Sequence, residues 1–342
     1  MTVLARGLAI GLWCFATAGL AAPGDAIYAR PGQLVAAADG ARLNLYCMGS
    51  GSPTVVLDSG WGDWAPAWAK VQPQIAQFTR VCSYDRAGAG FSEPGPLPRT
   101  TERIAGELHD ALHAAGIAGP YLLVGHAFGG DHMRAFADLY MPEVAGLVLV
   151  EADASDVEPA AMRHKDDSGI LGYVPDLKAC RDAIAAGKPL PAEPSVPGRA
   201  PTDCVQQTFF RGLPEAEWSP ELNAKLLELA RTKLALWDAF ISEMQNMPGD
   251  ELWLQQHRTS FGARPVRVLS SGNHAVGHLD TQQPTSLQHL KYEYDVALAQ
   301  ARWLTLSSDA KQVFTNRSSE YIQFDQPEVV VAAVREVYDR SR

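Results

Sequence analysis

Short apolar runs alternate with amphipathic stretches through the first half of the chain. Pro53 to Asp58, Arg80 to Tyr84, Tyr121 to Val124 and Gly146 to Val150 each carry a buried-type run and read as strands. Residues 33–38 and 41–47 flank Asp39-Gly40, a tight hairpin signal. Between the strands, Ile104, Leu108, Ala111 and Leu112 share one helical face over 101–115, and Gly116 stops that helix. Met133, Phe136 and Tyr140 repeat at helical spacing up to Pro142, and a stretch with Trp61, Trp64 and Trp68 leads into a helix ending near Phe78. Asp85 to Gly90 reads as a flexible loop. Alternating strands and helices predict the α/β class, with a mostly parallel sheet covered on both faces.

The rhythm breaks after residue 152. Residues 153–263 show no strong strand. They begin with a Pro-rich, charged stretch and continue as helices, notably over 220–246. They read as a helical cap inserted into a core made of 33–152 and 264–342. The sheet resumes at Pro265 to Leu269. A long helix over roughly 285–305, a strand from Lys311 to Thr315 and a helix from Pro327 to about Arg340 complete the pattern, with Val330, Val334 and Val337 as the last helix's inner face.

Composition adds limits. With 342 residues, 46% hydrophobic and 20% charged, the chain suits one large domain with an insertion. A formal net charge of −10 argues against phosphate-mediated nucleic-acid binding. Residues 1–21 read as a secretory signal: Arg6 is basic, Leu8 to Phe15 form a short apolar core, and Gly19-Leu20-Ala21 supply small residues for cleavage. An exported protein, periplasmic or secreted, with no membrane span after signal removal is therefore expected. Cys14 falls within the signal, and the remaining Cys47, Cys82, Cys180 and Cys204 are even in number, which suggests disulfides. The preferred pairing is 47–82, on neighbouring strands, with 180–204 inside one later segment. No H-E-x-x-H or Cys/His motif occurs, and the glycines of 86–90 lack a phosphate-loop Lys-Ser/Thr. Neither metal nor cofactor is expected.

The central chemistry lies at Tyr121-Leu-Leu-Val-Gly-His-Ala-Phe-Gly-Gly130, a strand, tight turn and helix with the spacing of a G-x-S-x-G nucleophile elbow. Gly125 and Gly129 give such a turn room. The central residue is Ala127, whose methyl cannot attack a carbonyl. With the stretches Val55-Val56-Leu57-Asp58-Ser59-Gly60-Trp61-Gly62, Tyr84-Asp85-Arg86-Ala87-Gly88-Ala89-Gly90-Phe91-Ser92, Gly146 to Glu151 and Tyr321 to Pro327, the chain resembles the α/β-hydrolase family over nearly all of 33–342. It is most similar to exported, disulfide-bearing, esterase-like members with a helical cap. The resemblance implies ester or amide hydrolysis by a Ser-His-acid triad.

Carried over position by position, the resemblance puts Ala127 at the nucleophile and the backbone N–H groups of Trp61 and Phe128 at the oxyanion hole. The base position, ahead of Tyr321-Ile-Gln-Phe-Asp-Gln-Pro, falls on Glu320, and no histidine occurs after His289. His274 and His278 are the remaining candidates for a base. Glu151 is the preferred acid, Asp280 the alternative and Asp153 a third. If Glu151 and Glu320 face each other, one should hold a proton at raised pKa and the pair could do acid–base work. His126 is read as shaping the turn, Asp131 and His132 as opening the helix at its positive end, and Ser59 and Ser92 as loop hydroxyls. The aromatic cap residues Phe209, Phe210, Trp218, Trp237, Phe240 and Trp253, with Met244 and Met247, are expected to form mostly cap core, a few lining an apolar pocket. The expected ligand is a small molecule, a bulky apolar ester. Without its nucleophile and base, the chain is expected to be inactive or nearly so as a serine esterase. A repurposed acid–base enzyme and a non-catalytic binding protein are the alternatives.

Overall fold

A computed structural model describes residues 24–152, 171–192, 202–272 and 287–342, without the side chains of 287–293. The strands are β1 (Gln33–Ala36), β2 (Arg42–Met48), β3 (Thr54–Asp58), β4 (Val81–Asp85), β5 (Tyr121–His126), β6 (Val144–Val150), β7 (Val266–Ser271) and β8 (Ala310–Thr315). The helices are α1 (Gln72–Ile75), α2 (Thr101–Ala114), α3 (Phe128–Tyr140), α4 (Val174–Ala185), α5 (Cys204–Thr208), α6 (Pro220–Thr232), α7 (Leu234–His257), α8 (Leu287–Gln300), α9 (Ile322–Asp325) and α10 (Pro327–Arg340).

The eight strands form one sheet in the order β1-β2-β4-β3-β5-β6-β7-β8. β1, β2 and β4 pair antiparallel, and every pairing from β4 through β3 to β8 is parallel. Every residue of β3, β4, β5 and β7 is buried. Their uninterrupted apolar runs have this cause: a parallel strand is covered on both faces, so neither side can be polar without a partner. On one face Leu108, Ala111 and Leu112 of α2 and Met133 and Phe136 of α3 join the core, and on the other Ile75 of α1 and Val330, Val334 and Val337 of α10 do so.

A third cluster joins the helices α4 to α7 to the loop after β3. Trp64 lies edge-on to Phe210 at 4.5 Å and to Phe209 at 5.7 Å, and Phe240 of α7 completes the group. Phe209, Phe210, Trp218, Trp237, Phe240 and Met244 are all buried, as expected of a cap core, while Met247 and Trp253 are half-buried. Cys47 and Cys82 face each other across the β2–β4 ladder and are bonded, and Cys180 is bonded to Cys204, tying α4 to α5. No helix of the described residues is long and apolar enough to cross a membrane. Residues 1–21 lie outside the described residues.

The Trp-rich segment leads, through a 3-10 turn at Ala65–Trp68, into a short helix, the four-residue α1, with prolines at 66 and 73 near the start of each element. Two local expectations fail for physical reasons. The helix expected to stop at 246 continues through Pro248 to His257, with buried Asp250 and Leu254 anchoring the far side. A proline removes one backbone hydrogen bond, and tertiary packing overrides that cost here. The segment 86–90 is not a loose loop. Arg86, Ala87 and Ala89 are buried, Asp85 accepts from the N–H groups of Ala65 (3.1 Å) and Phe91 (2.9 Å), and Lys233 donates to the carbonyls of Ala89 (3.2 Å) and Gly90 (2.8 Å).

Candidate active site

The elbow connects β5 to α3. Ala127 has φ 45° and ψ −124°, a region that L-residues with a Cβ avoid. Its N–H donates to Val150 O (3.0 Å), and its carbonyl accepts from Gly130 N (2.8 Å), so neighbours on both sides enforce the conformation. Such a residue costs about 1–3 kcal/mol. Both flanking glycines are sterically required. A Cβ on Gly125 would meet Gly129 O at 2.4 Å, and one on Gly129 would meet the carbonyls of Asp58 and Ser59 at 2.6 Å. The Ala127 methyl is half-buried, and Gly60 lies beside it: a Cβ there would come within 3.2 Å of it.

The loop after β3 carries Gly60, Trp61 and Asp63. Arg86 fixes its backbone by donating to Ser59 O (2.7 Å) and Gly60 O (2.9 Å). The same guanidinium pairs with Asp58 (2.9 Å) and with Glu243 of α7 (3.0 Å). Asp58 also accepts from Tyr84 OH (2.9 Å) and pairs with His132 Nδ1 (2.8 Å). Burial alone would raise the Asp58 carboxyl, but the charges of His132 and Arg86 outweigh it and hold it below the ordinary carboxylate range. The Trp61 indole donates to Phe240 O (2.9 Å), tying the loop to α7 a second time. Phe128 opens α3, where the first N–H groups of a helix have no intrahelical acceptor.

Glu320 is half-buried in the loop after β8. Its backbone carbonyl accepts from His126 Nε2 (3.1 Å), which brings residue 320 to the residue next to Ala127. That bond places the His126 ring proton on Nε2. Nδ1 lies 3.9 Å from the Asp63 carboxyl, and Tyr321 OH donates to the other Asp63 oxygen at 3.5 Å. Asp63 is fully buried. Burial first, and then the negative charge of Glu320, push its pKa up to about 8, with Arg86 opposing. At neutral pH Asp63 therefore holds a proton beside the Glu320 carboxylate.

Glu151 follows β6 with φ 46° and is buried. Its carboxylate accepts from Gln300 Nε2 (2.9 Å) and, in a short bond, from Ser271 N, which fixes it against the end of β7. The charge that acts on Asp63 is that of Glu320, whereas Glu151 is held by an amide and a backbone N–H. Asp153, His274, His278 and Asp280 lie outside the described residues.

Sequence reasoning passed over four participants. His132 reads from sequence as opening a helix and Arg86 as part of a flexible loop, while Asp63 and Glu243 carry no sequence signal of a role. Only contacts between distant parts of the chain give them roles. Ser92, read as a turn hydroxyl, does accept from Asn44 N (2.7 Å) and donate to Asp85 O (2.5 Å). The described residues also bring His109, His113 and Glu143 together, a grouping that no sequence motif announced.

A model of the alpha/beta hydrolase fold matches residues 53–187. Protein YqjL of Bacillus subtilis is 31% identical over 290 residues, covering 85% of this chain and 85% of that protein. The chain belongs to the α/β-hydrolase fold family. Several other curated relatives match over shorter stretches, and the chain spans only 15% to 35% of their length. Among solved structures, a thermophilic esterase from Thermogutta terrifontis superposes with a TM-score of 0.57 at 18% identity, covering 91% of this chain and 99% of that one. A serine-to-alanine mutant of the meta-cleavage product hydrolase CumD from Pseudomonas fluorescens gives a TM-score of 0.58 at 18% identity, with the same coverage. At such identities the likeness is one of fold.

Proposed function

We propose that this protein descends from carboxylic ester hydrolases and now binds a bulky, apolar ester or similar carbonyl compound at the elbow without forming an acyl-enzyme. The observation that carries this reading is the strained backbone at Ala127 (φ 45°), kept although the side chain it displays cannot react. Backbone strain persists where the surroundings over-determine it and where it serves a site. The loop with Trp61 and the N-terminus of α3 with Phe128 supply the anion-stabilising N–H groups in this reading. The buried aromatics around Trp64 and Phe240 supply the apolar wall. Residues 33–152 and 264–342 form the hydrolase core and 153–263 the cap. The disulfides suit export to the periplasm or exterior, with residues 1–21 as the signal. No metal or cofactor takes part at the elbow.

The test compares three proteins on a chromogenic ester: the chain itself, Ala127→Ser, and Ala127→Ser/Glu320→His. Triad members act as a unit, so restoring one returns little. The single variant should stay near background, and the double variant should exceed it by about a thousandfold or more. A double variant as inert as the parent would remove the esterase ancestry. Binding of a long-chain alkyl methyl ketone, followed by tryptophan fluorescence, should be saturable in the unmodified protein.

A second reading has its own observation. The proton held by Asp63 beside Glu320 is an acid–base pair ready for non-covalent chemistry. It uses Asp63 where the sequence suggested Glu151 as the partner of Glu320. Turnover by the unmodified chain, abolished in Glu320→Gln, would favour it over simple binding.

A further inference from the structure

On α2, beside the C-terminal end of α3, two histidines one helical turn apart meet a carboxylate from another element. His109 Nε2 donates to one oxygen of Glu143 at 3.0 Å, and His113 Nε2 donates to the other at 2.9 Å. Glu143 comes from the 3-10 turn Met141–Glu143 that leads into β6. One ligand atom from each of the three residues can be chosen so that all lie within 4.8 Å of one another. We propose that His109, His113 and Glu143 form a binding site for a borderline divalent cation of the zinc class, separate from the elbow.

Four arguments support the assignment. In a tetrahedral zinc site with bonds of about 2.0–2.1 Å, neighbouring ligand atoms stand about 3.3 Å apart. The two N···O distances here are within a few tenths of an ångström of that edge, so a cation could replace the two bridging protons after small ring movements. The donor set of two imidazoles and one carboxylate suits zinc, and it leaves a fourth position for water. The rings are held in place: His109 stacks on Tyr140 with centroids 3.7 Å apart and planes 5° from parallel, and it lies 4.3 Å from the His113 ring. His109 Nδ1 also faces Asp110 at 3.9 Å. A carboxylate on that side is the kind of outer partner a metal-bound histidine uses, and a small ring movement would close the gap to hydrogen-bond distance as the ring proton moves from Nε2 to Nδ1 and frees Nε2 for the metal. On binding, each neutral imidazole shifts its proton to Nδ1 and gives the Nε2 lone pair, and the carboxylate gives an oxygen. No electron is transferred.

The experiment is equilibrium titration of the metal-stripped protein with Zn2+, followed by calorimetry, with Co2+ absorption as a second readout. The unmodified protein should bind one Zn2+ at this site, gain thermal stability, and show the visible bands of nitrogen- and oxygen-ligated Co2+. His113→Ala, a change at a half-exposed side chain, should weaken binding at least about tenfold, and Glu143→Gln should weaken it less. Ester binding at the elbow should not change in either variant. If His113→Ala and His109→Ala bind Zn2+ as well as the parent, the ion sits on other histidines and the proposal fails. If the parent shows no saturable binding, the three side chains are a hydrogen-bonded clasp between α2 and β6 and the proposal fails equally.

Discussion

Two buried polar clusters flank the loop after β3, and they differ in how their charges are met. In the first, Arg86 sits between Asp58 and Glu243, and His132 and Tyr84 supply further hydrogen bonds to Asp58. In the second, burial and the negative charge of the half-buried Glu320 push the pKa of the fully buried Asp63 up to about 8. The first cluster holds the loop in shape. The second carries an electrostatic cost, and it is the one that lies beside the elbow. The two carboxyls therefore shift in opposite directions: against burial, pairing with cations lowers Asp58, whereas burial and a like charge raise Asp63.

The largest effect should come from the support. Arg86→Met removes the guanidinium from two buried carboxylates, Asp58 and Glu243, and from the carbonyls of Ser59 and Gly60. Breaking one side of a buried pair costs about 3–5 kcal/mol, read as a lower midpoint in urea unfolding. Were the loss below about 1 kcal/mol, the contrast between the clusters would collapse.

The second cluster should respond in the opposite direction. The folded Asp63 carboxyl has its pKa raised to about 8, well above the ordinary aspartate value of about 3.9 expected in the unfolded chain. Between those values the folded state holds a proton that the unfolded state has lost. Stability from this group is therefore fully present below about pH 4 and falls as pH rises toward 8. Asp63→Asn should remove that slope and make the protein more stable than its parent at pH 9, measured as the midpoint of thermal unfolding across pH. Unfolding midpoints that run parallel in both proteins from pH 5 to 9 would mean that Asp63 titrates normally.

The smallest effect concerns the elbow itself. Ala127→Gly removes the only Cβ that objects to φ 45°, and it should stabilise the fold by about 1 kcal/mol. A loss of stability there would show that the methyl packs more tightly than its half-buried position implies.

Much of the core was legible because buried parallel strands write themselves as unbroken apolar runs. β5 and β6, with α3 between them, follow from Tyr121 to Val150 alone. The elbow was legible because its short motif is contiguous in sequence, although only Gly125 is crowded by its own turn, while Gly129 is crowded by the carbonyls of Asp58 and Ser59. Asp63 was not legible. Its behaviour depends on its burial, on Glu320 and Tyr321, more than 250 residues distant, and on a backbone hydrogen bond from Phe210. Arg86 was misjudged because glycine after glycine in 88–90 suggests mobility, whereas those glycines allow the chain to crowd against Asp85 and Ala235. The helix runs past the expected 246 through Pro248 because buried Asp250 and Leu254 anchor its far side, which local periodicity does not show.

The grip of Arg86 has one more result. Its guanidinium holds the cradle's carbonyls with one edge and a side chain of α7 with the other, and Trp61 reaches the same helix through its indole. A lid that swung outward on α7 would therefore pull the anion cradle out of register. If the elbow binds a ligand as proposed, ligand entry and the geometry that greets it would be mechanically one event.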